Sequence, residues 1–427
     1  MFQQVFKFLA DLRFAIIVLL AISFFSIIGT IIEQEQSIEI YKLNYPISSQ
    51  LFGFFSWENI LFFGFDHVYK TWWFLSLIVI FSISLITCTL IQQVPSVKIA
   101  RRCQFFRDSK NFKKLSRSTL LNYLYFGKVI NQLKKRQYSV FCQKNILYCY
   151  KGLIGCIAPI IVHFSMILIL LGTLISSLSG FKAQENIPNT EIFRIQNILS
   201  TGQVSTITNS CGRINDFWIS YTTKEKKITQ FYSDISILDF NGNEIKHKTN
   251  YINSPIIYKS VYFYQTDWNL IGIRIKQFAS NIVEYPLTLI AQSKNKYWLT
   301  WFNQNNLLNS GIVAITDNLQ GYCSFYDYNG FFLGNVELNE TISNKNQLLD
   351  IISSSGFLVK KDPGIPSIYF GFFCLIVSTI CSYTTYSQIW ILQKRNQIFI
   401  TGNTTRATIE FEFELTNIIK QLTKNKM

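Results

Sequence analysis

The chain has 427 residues, 49% hydrophobic and 15% charged, which is too apolar for an ordinary soluble protein and too polar for a bundle of spans alone. Its net charge of +15 does not point to nucleic acid: Lys and Arg outnumber Asp and Glu by 14 to 1 within residues 94–151, whereas residues 181–366 hold 16 against 15, and no stacking motif accompanies the basic run. Nine cysteines contain no CxxC and no CxxCH, which excludes a covalently haem-bearing cytochrome of the usual kind and a thioredoxin-like dithiol.

Phe14 to Ile32 is a charge-free run of 19 residues, close to the roughly 20 that cross a bilayer core. It is too long for a signal peptide, no small-residue cleavage site follows it, and its early start leaves no room for a transit peptide ahead of it. Residues 45–65 are aromatic but broken by Ser, Gly and Glu58, the pattern of a short amphipathic helix in the membrane interface. Asp66 and His67 precede Trp72 and Trp73, which open a second span to about Gln92, so residues 1–93 hold two spans.

The basic loop at 94–151, with Arg101, Arg102, Lys113, Lys114 and Lys134 to Arg136, keeps its side of synthesis by the positive-inside rule and faces the lipid surface. Within it YSVFC and ILYCY flank QKN as a hairpin. The charge-free stretch 152–181 is the third span, and it delivers residues 182–364 to the opposite, trans side. That segment is β in texture, with hairpins expected on Asn241-Gly242 and Asn329-Gly330, and is long enough to bury its own core. Residues 365–393 form the fourth span, closed by Lys394 and Arg395, and the tail 394–427 contains an alternating IEFEFEL that fits a strand pairing with the cis hairpin. The fold expected is therefore a multi-pass α-helical membrane protein of four transmembrane helices, with a large β-rich trans domain between the third and fourth and both termini on the cis side.

Four blocks together resemble one family: LADLRFAIIVLLAISFFSIIGTIIEQEQS (Leu9 to Ser37), TWWFLSLIVI with CTLIQQVPSVKIARRCQFF, IAPIIVHFSMILILLG with SGFKAQE, and YKSVYFYQTDWNLIGIRI. They are similar to the ResB-type proteins of system II cytochrome c maturation, nearest to the version encoded in plastid genomes. The resemblance covers all four spans and part of the trans domain. It implies a subunit of a haem-handling cytochrome c synthase that works where haem is attached to apocytochrome f and a soluble lumenal c-type apocytochrome. It also implies a CcsA-type partner carrying a tryptophan-rich haem motif, since no WxWD-type motif occurs here. Haem b in transit is the implied cofactor. The thylakoid membrane of a plastid is the implied location, and the Phe, Ile, Lys and Asn usage fits an AT-rich genome.

Of three histidines, His163 lies nine residues into the third span from Ile154, roughly 13 Å at the helical rise and so near mid-depth. An imidazole there costs free energy without a partner. Helix physics alone leaves a neighbouring carbonyl or serine as its partner; the resemblance implies haem iron, with the second axial ligand coming from the partner protein. His67, at the trans end of span two, is either a haem contact at the exit or an interfacial imidazole bonded to Asp66. His247, in EIKHKT, is a surface residue. Tyr262, Phe263, Tyr264 and Trp268 are either a docking surface for haem or apocytochrome, or β-domain core. A Cys211–Cys323 disulfide is open, and Cys374 and Cys381 read as helix-packing residues. A structural chaperone that binds no haem is the competing function; a small-molecule transporter is disfavoured because the spans lack paired charges and repeat symmetry.

Overall fold

The computed structural model describes residues 2–48, 55–108, 112, 119–122, 126–207, 211–222, 228–239, 241–276, 281–292, 295–303, 311–342, 346–394 and 397–424. Two compact units emerge: Met1–Gln34, Phe54–Ile175 and Gly364–Met427 form one, and Glu35–Gly53 with Ser176–Pro363 the other.

Among the described residues, four helices are long and apolar enough to cross a membrane: Leu12–Ile31, Trp72–Arg101, Ile154–Ser179 and Ile365–Ser382. The first opens on Asp11, whose carboxylate accepts from the Arg13 backbone N–H at 3.0 Å and so satisfies one of the free donors of a helix start. The second runs past Gln92 to Arg101, through a π-turn at Thr89–Gln93 in which the Val94 N–H reaches back to the Thr89 carbonyl. The third and fourth approach closely because glycine removes the obstruction. A Cβ on Gly172 would stand 2.6 Å from Ile368 Cγ1, and one on Gly371 would stand 2.7 Å from Ile169 Cγ1.

The fourth helix stops at Ser382, well before the expected residue 393, and the chain continues as strand Ser387–Lys394. The reason is composition: Thr384, Thr385, Ser387 and Gln388 interrupt the apolar run, and the following IWIL has the β-branched and aromatic character of a buried strand. That strand and Gln397–Thr404 join the expected hairpin, Ser139–Gln143 and Ile146–Lys151, and Thr119–Asn122 in a five-stranded antiparallel sheet. The tail is not a strand. Thr408–Lys424 is a helix whose Phe411, Leu415, Ile418 and Leu422 share one face and pack with Val129 and Leu133 of helix Phe126–Lys135 over Ile389, Ile391, Ile398 and Ile400. The i, i+4, i+7, i+11 spacing of those four outweighs a seven-residue alternation, and Phe413, in phase with the alternation, is 66% exposed. The opposite sheet face buries Phe112, Tyr148 and Trp390. What reads in sequence as a topogenic loop and a polar tail is thus a small α/β layer with its own core. Lys113, Lys114 and Arg395 lie outside the described residues.

The single interfacial helix expected over 45–65 is a shorter one, Trp57–Phe63, stopped by Gly64 at φ 72; residues 49–54 lie outside the described residues.

The second unit is β throughout its main segment. Strands Val261–Lys276 and Asn346–Lys361 pair antiparallel from Val261↔Lys361 to Lys276↔Gln347 and form the spine of a seven-stranded sheet, with Phe181–Pro188 on the far side of Asn346–Lys361. A four-stranded sheet contains the hairpin at Asn241-Gly242, and a five-stranded meander contains the one at Asn329-Gly330; both glycines take positive φ, 84° and 81°. Inward-facing alternate residues of these sheets make two cores, one around Trp268, Trp298 and Phe325, the other around Phe181, Phe263 and Phe357.

Candidate functional site

His163 faces the π-turn of the second apolar helix. Its Nδ1 lies 3.0 Å from Thr89 Oγ1, and the Gln93 amide nitrogen lies 3.0 Å from its Nε2 and 3.3 Å from Nδ1. In the tautomer protonated at Nδ1, the Thr89 hydroxyl donates to the Leu85 carbonyl at 2.7 Å and accepts from Nδ1–H, while Nε2 turns its lone pair to the Gln93 NH2 group. The same arrangement leaves Gln93 Oε1 buried with no hydrogen-bond partner, at a cost of about 1–3 kcal/mol. A neutral imidazole with Nδ1–H tied to a second residue and Nε2 free to accept is a metal-binding tautomer, its one competitor an amide already partly unsatisfied.

The π-turn builds this site. Pro95 has no N–H, so the regular i to i−4 ladder cannot run through it, and the widened turn places Thr89 and Gln93 on the face that meets the third helix. Neither residue stood out in the sequence, although a Gln-Gln pair one turn before a proline at the end of an apolar run was the available signal.

His67 belongs to a separate place. Its Nδ1 sits 2.8 Å from Asp66 Oδ1 and the ring is 47% exposed. It stands in the short turn Phe65–Lys70, with φ −143 and ψ 44 breaking the helical run. Gln34 holds that turn: its amide donates to the Ile32 and Phe65 carbonyls at 2.9 and 2.8 Å and accepts from the Val68 N–H at 3.0 Å. From Thr71 to Thr89 the helix extends about 27 Å, so His67 and His163 cannot ligate one iron. Among the described residues no group of three His, Cys, Asp or Glu side chains is placed to hold a metal ion.

The aromatic block divides between the faces of its strand, alternating up to Gln265 and then shifted by an irregularity between Gln265 and Asp267 that leaves Trp268 buried. Phe263 (1% exposed) and Trp268 (8%) point into the two cores, which removes them as docking residues. Tyr262 and Tyr264 stand on the other face, stacked at 5.9 Å. His247 pairs with Asp234 at 2.8 Å, and that carboxylate raises the imidazole above its ordinary value. Cys211 and Cys323 are both free thiols, in different sheets; burial pushes the Cys323 thiol up to about 12. Cys374 and Cys381 line an apolar groove with Ile154, Ile161 and Phe373.

Four apolar helices, an intramembrane histidine held by a π-turn, and a large β-rich unit define a membrane protein that presents one imidazole from within its helices. The chain belongs to the ResB-like family, whose pattern matches residues 12–295 and 334–416. It is 58% identical over 420 residues to the cytochrome c biogenesis protein Ccs1 of Thalassiosira pseudonana, covering 98% of this chain and all of that one. It is 42% identical over 422 residues to the protein of the same name from Porphyra purpurea, covering 98% and 96%. To the cytochrome c biogenesis protein CcsB of Crocosphaera subtropica it is 41% identical over 432 residues, covering 100% and 96%.

Proposed function

We propose that this protein works in the biogenesis of c-type cytochromes, as the subunit that offers His163 Nε2 to haem iron while a partner membrane protein of the CcsA type supplies the other axial ligand. The observation that carries the reading is the geometry at His163, in which Nδ1 lies 3.0 Å from Thr89 Oγ1 and Nε2 lies 3.0 Å from a displaceable Gln93 amide. One histidine gives one ligand, so the second comes from another chain. The basic layer stays on the side where the chain is made, by its 14 to 1 excess of positive charge. The β-rich unit then stands on the lumenal side, where apocytochrome f and the soluble c-type apocytochrome receive haem, and the membrane is the plastid thylakoid. Haem is cargo here and leaves on the cytochrome.

The test is the visible spectrum of the complex purified with its partner. Wild type shows a low-spin bis-histidine haem, and His163→Ala loses haem or turns five-coordinate. An unchanged spectrum at full haem content in His163→Ala overturns the reading. A second reading, in which the β-rich unit holds apocytochrome and no haem is bound, draws on the outward stack of Tyr262 and Tyr264. It requires wild-type cytochrome assembly in His163→Ala and loss of apocytochrome crosslinks in a Tyr262→Ala, Tyr264→Ala double variant.

A further inference from the structure

A cavity of about 280 Å³ opens one helical turn from His163, where the second, third and fourth apolar helices meet the α/β layer. Gln93 and Ser96 of the second helix line it, with Cys156 of the third, and Thr384, Thr405 and Arg406 from the segments either side of the hairpin Ser387–Thr404. Pro159, also on its wall, precedes His163 by four residues, roughly 6 Å along the helix. The cavity is a built feature. Gly152 and Gly155 let the third helix start against the 384–385 backbone, and a Cβ at either would stand 2.0 or 1.9 Å from a carbonyl oxygen of that turn. Arg406 is held at its mouth by a bond from Nη1 to the Ser382 carbonyl at 3.1 Å, and among the described residues no carboxylate pairs with it.

Two groups in this cavity lack a partner of the kind their chemistry asks for. Arg406 offers further guanidinium donors in a fork suited to a carboxylate. On the His163 side, Gln93 lines both the imidazole and the cavity, and its buried Oε1 has no hydrogen-bond partner among the described residues. The volume lies just under the roughly 300 Å³ at which small-molecule pockets begin, too little for a whole porphyrin and enough for its acidic edge.

We infer that this cavity is a carboxylate subsite: Arg406, with the hydroxyls of Thr384 and Thr405, receives the propionate edge of a tetrapyrrole whose centre lies at His163. The inference deepens the haem-ligation reading and rests on it for the identity of the ligand. A cation at the layer end of the helices would orient the ring with its acids toward that end and its apolar edge toward mid-membrane. Gln93 would leave Nε2 as the ring arrives and find in the cavity the donors its Oε1 lacks.

Iron-free protoporphyrin separates this inference from the reading beneath it, because it carries the carboxylates and no metal. Its binding to the full complex would be titrated by fluorescence beside that of its dimethyl ester. Wild type is expected to favour the free acid about tenfold; Arg406→Gln binds both forms as weakly as wild type binds the ester, and Arg406→Lys keeps most of the preference. The subsite is overturned if Arg406→Gln binds the free acid as wild type does, or if it weakens acid and ester alike, which would make Arg406 a structural tie to Ser382. It is equally overturned if wild type takes up neither form or does not distinguish them. Loss of the acid's advantage in vesicles of phosphatidylglycerol but not of neutral lipid would assign the cation to a lipid phosphate instead.

Discussion

At the scale of single residues, Thr89 donates to the Leu85 carbonyl and is the acceptor for an Nδ1–H of His163. Thr89→Val removes that acceptor while keeping the shape, so haem affinity of the complex should fall about tenfold or more, and Thr89→Ser should retain it. Equilibrium haem titration checks both. His247 gives a pH signature unconnected to haem. Its value is raised in the folded chain by Asp234, so its contribution to stability is fully present below the ordinary histidine value near 6.5 and fades as pH rises through the raised one. Because the ring is 47% exposed, the amount is under about 1 kcal/mol. His247→Gln should flatten the dependence of thermal stability on pH across that window and do little above it. Cys323 and Cys149, both held at about 12 by burial, should resist alkylation at pH 8 in the native protein, while exposed Cys103 and Cys142 label readily. Mass spectrometry of the labelled chain reads all four at once.

At the scale of elements, two phenylalanines in one short segment separate a helix from a strand. In the strand expected from IEFEFEL, Phe411 and Phe413 share a face and matter equally. In the helix Thr408–Lys424, Phe411 is buried against the sheet and Phe413 is not. Phe411→Ala should cost about 3–5 kcal/mol of local stability and Phe413→Ala within about 0.5 kcal/mol. Hydrogen exchange across the five-stranded sheet is the measurement. The same segment shows where sequence legibility ended. Hairpins with an Asn-Gly turn were readable because the turn demands positive φ, and apolar runs were readable because a bilayer sets their length. Thr408–Lys424 was not, since two periodicities coexist over seven residues and only burial against Ile398 and Ile400 decides between them. The end of the fourth apolar helix was hidden for a related reason: only a short polar break separates it from the apolar Ile389–Leu392, and the sheet that claims that segment is assembled from strands more than two hundred residues apart. At the candidate site, His163 was legible as a histidine where none is expected. Its supports were not, because the π-turn that brings Thr89 and Gln93 to it depends on Pro95 and on which helix packs alongside.

At the scale of the whole molecule, the chain divides its work between a unit of apolar helices joined to a basic α/β layer and a β-rich unit with cores of its own. Family membership and identity over nearly full length tie that plan to proteins of cytochrome c biogenesis. The proposed bond from the His163 imidazole to an iron whose other ligand lies on another chain is open to chemical rescue. His163→Gly in the purified complex should lose the low-spin haem spectrum, and millimolar imidazole should restore it by entering the space the side chain vacates. A spectrum that survives the substitution, or one that imidazole does not bring back while the complex remains assembled, would contradict the account.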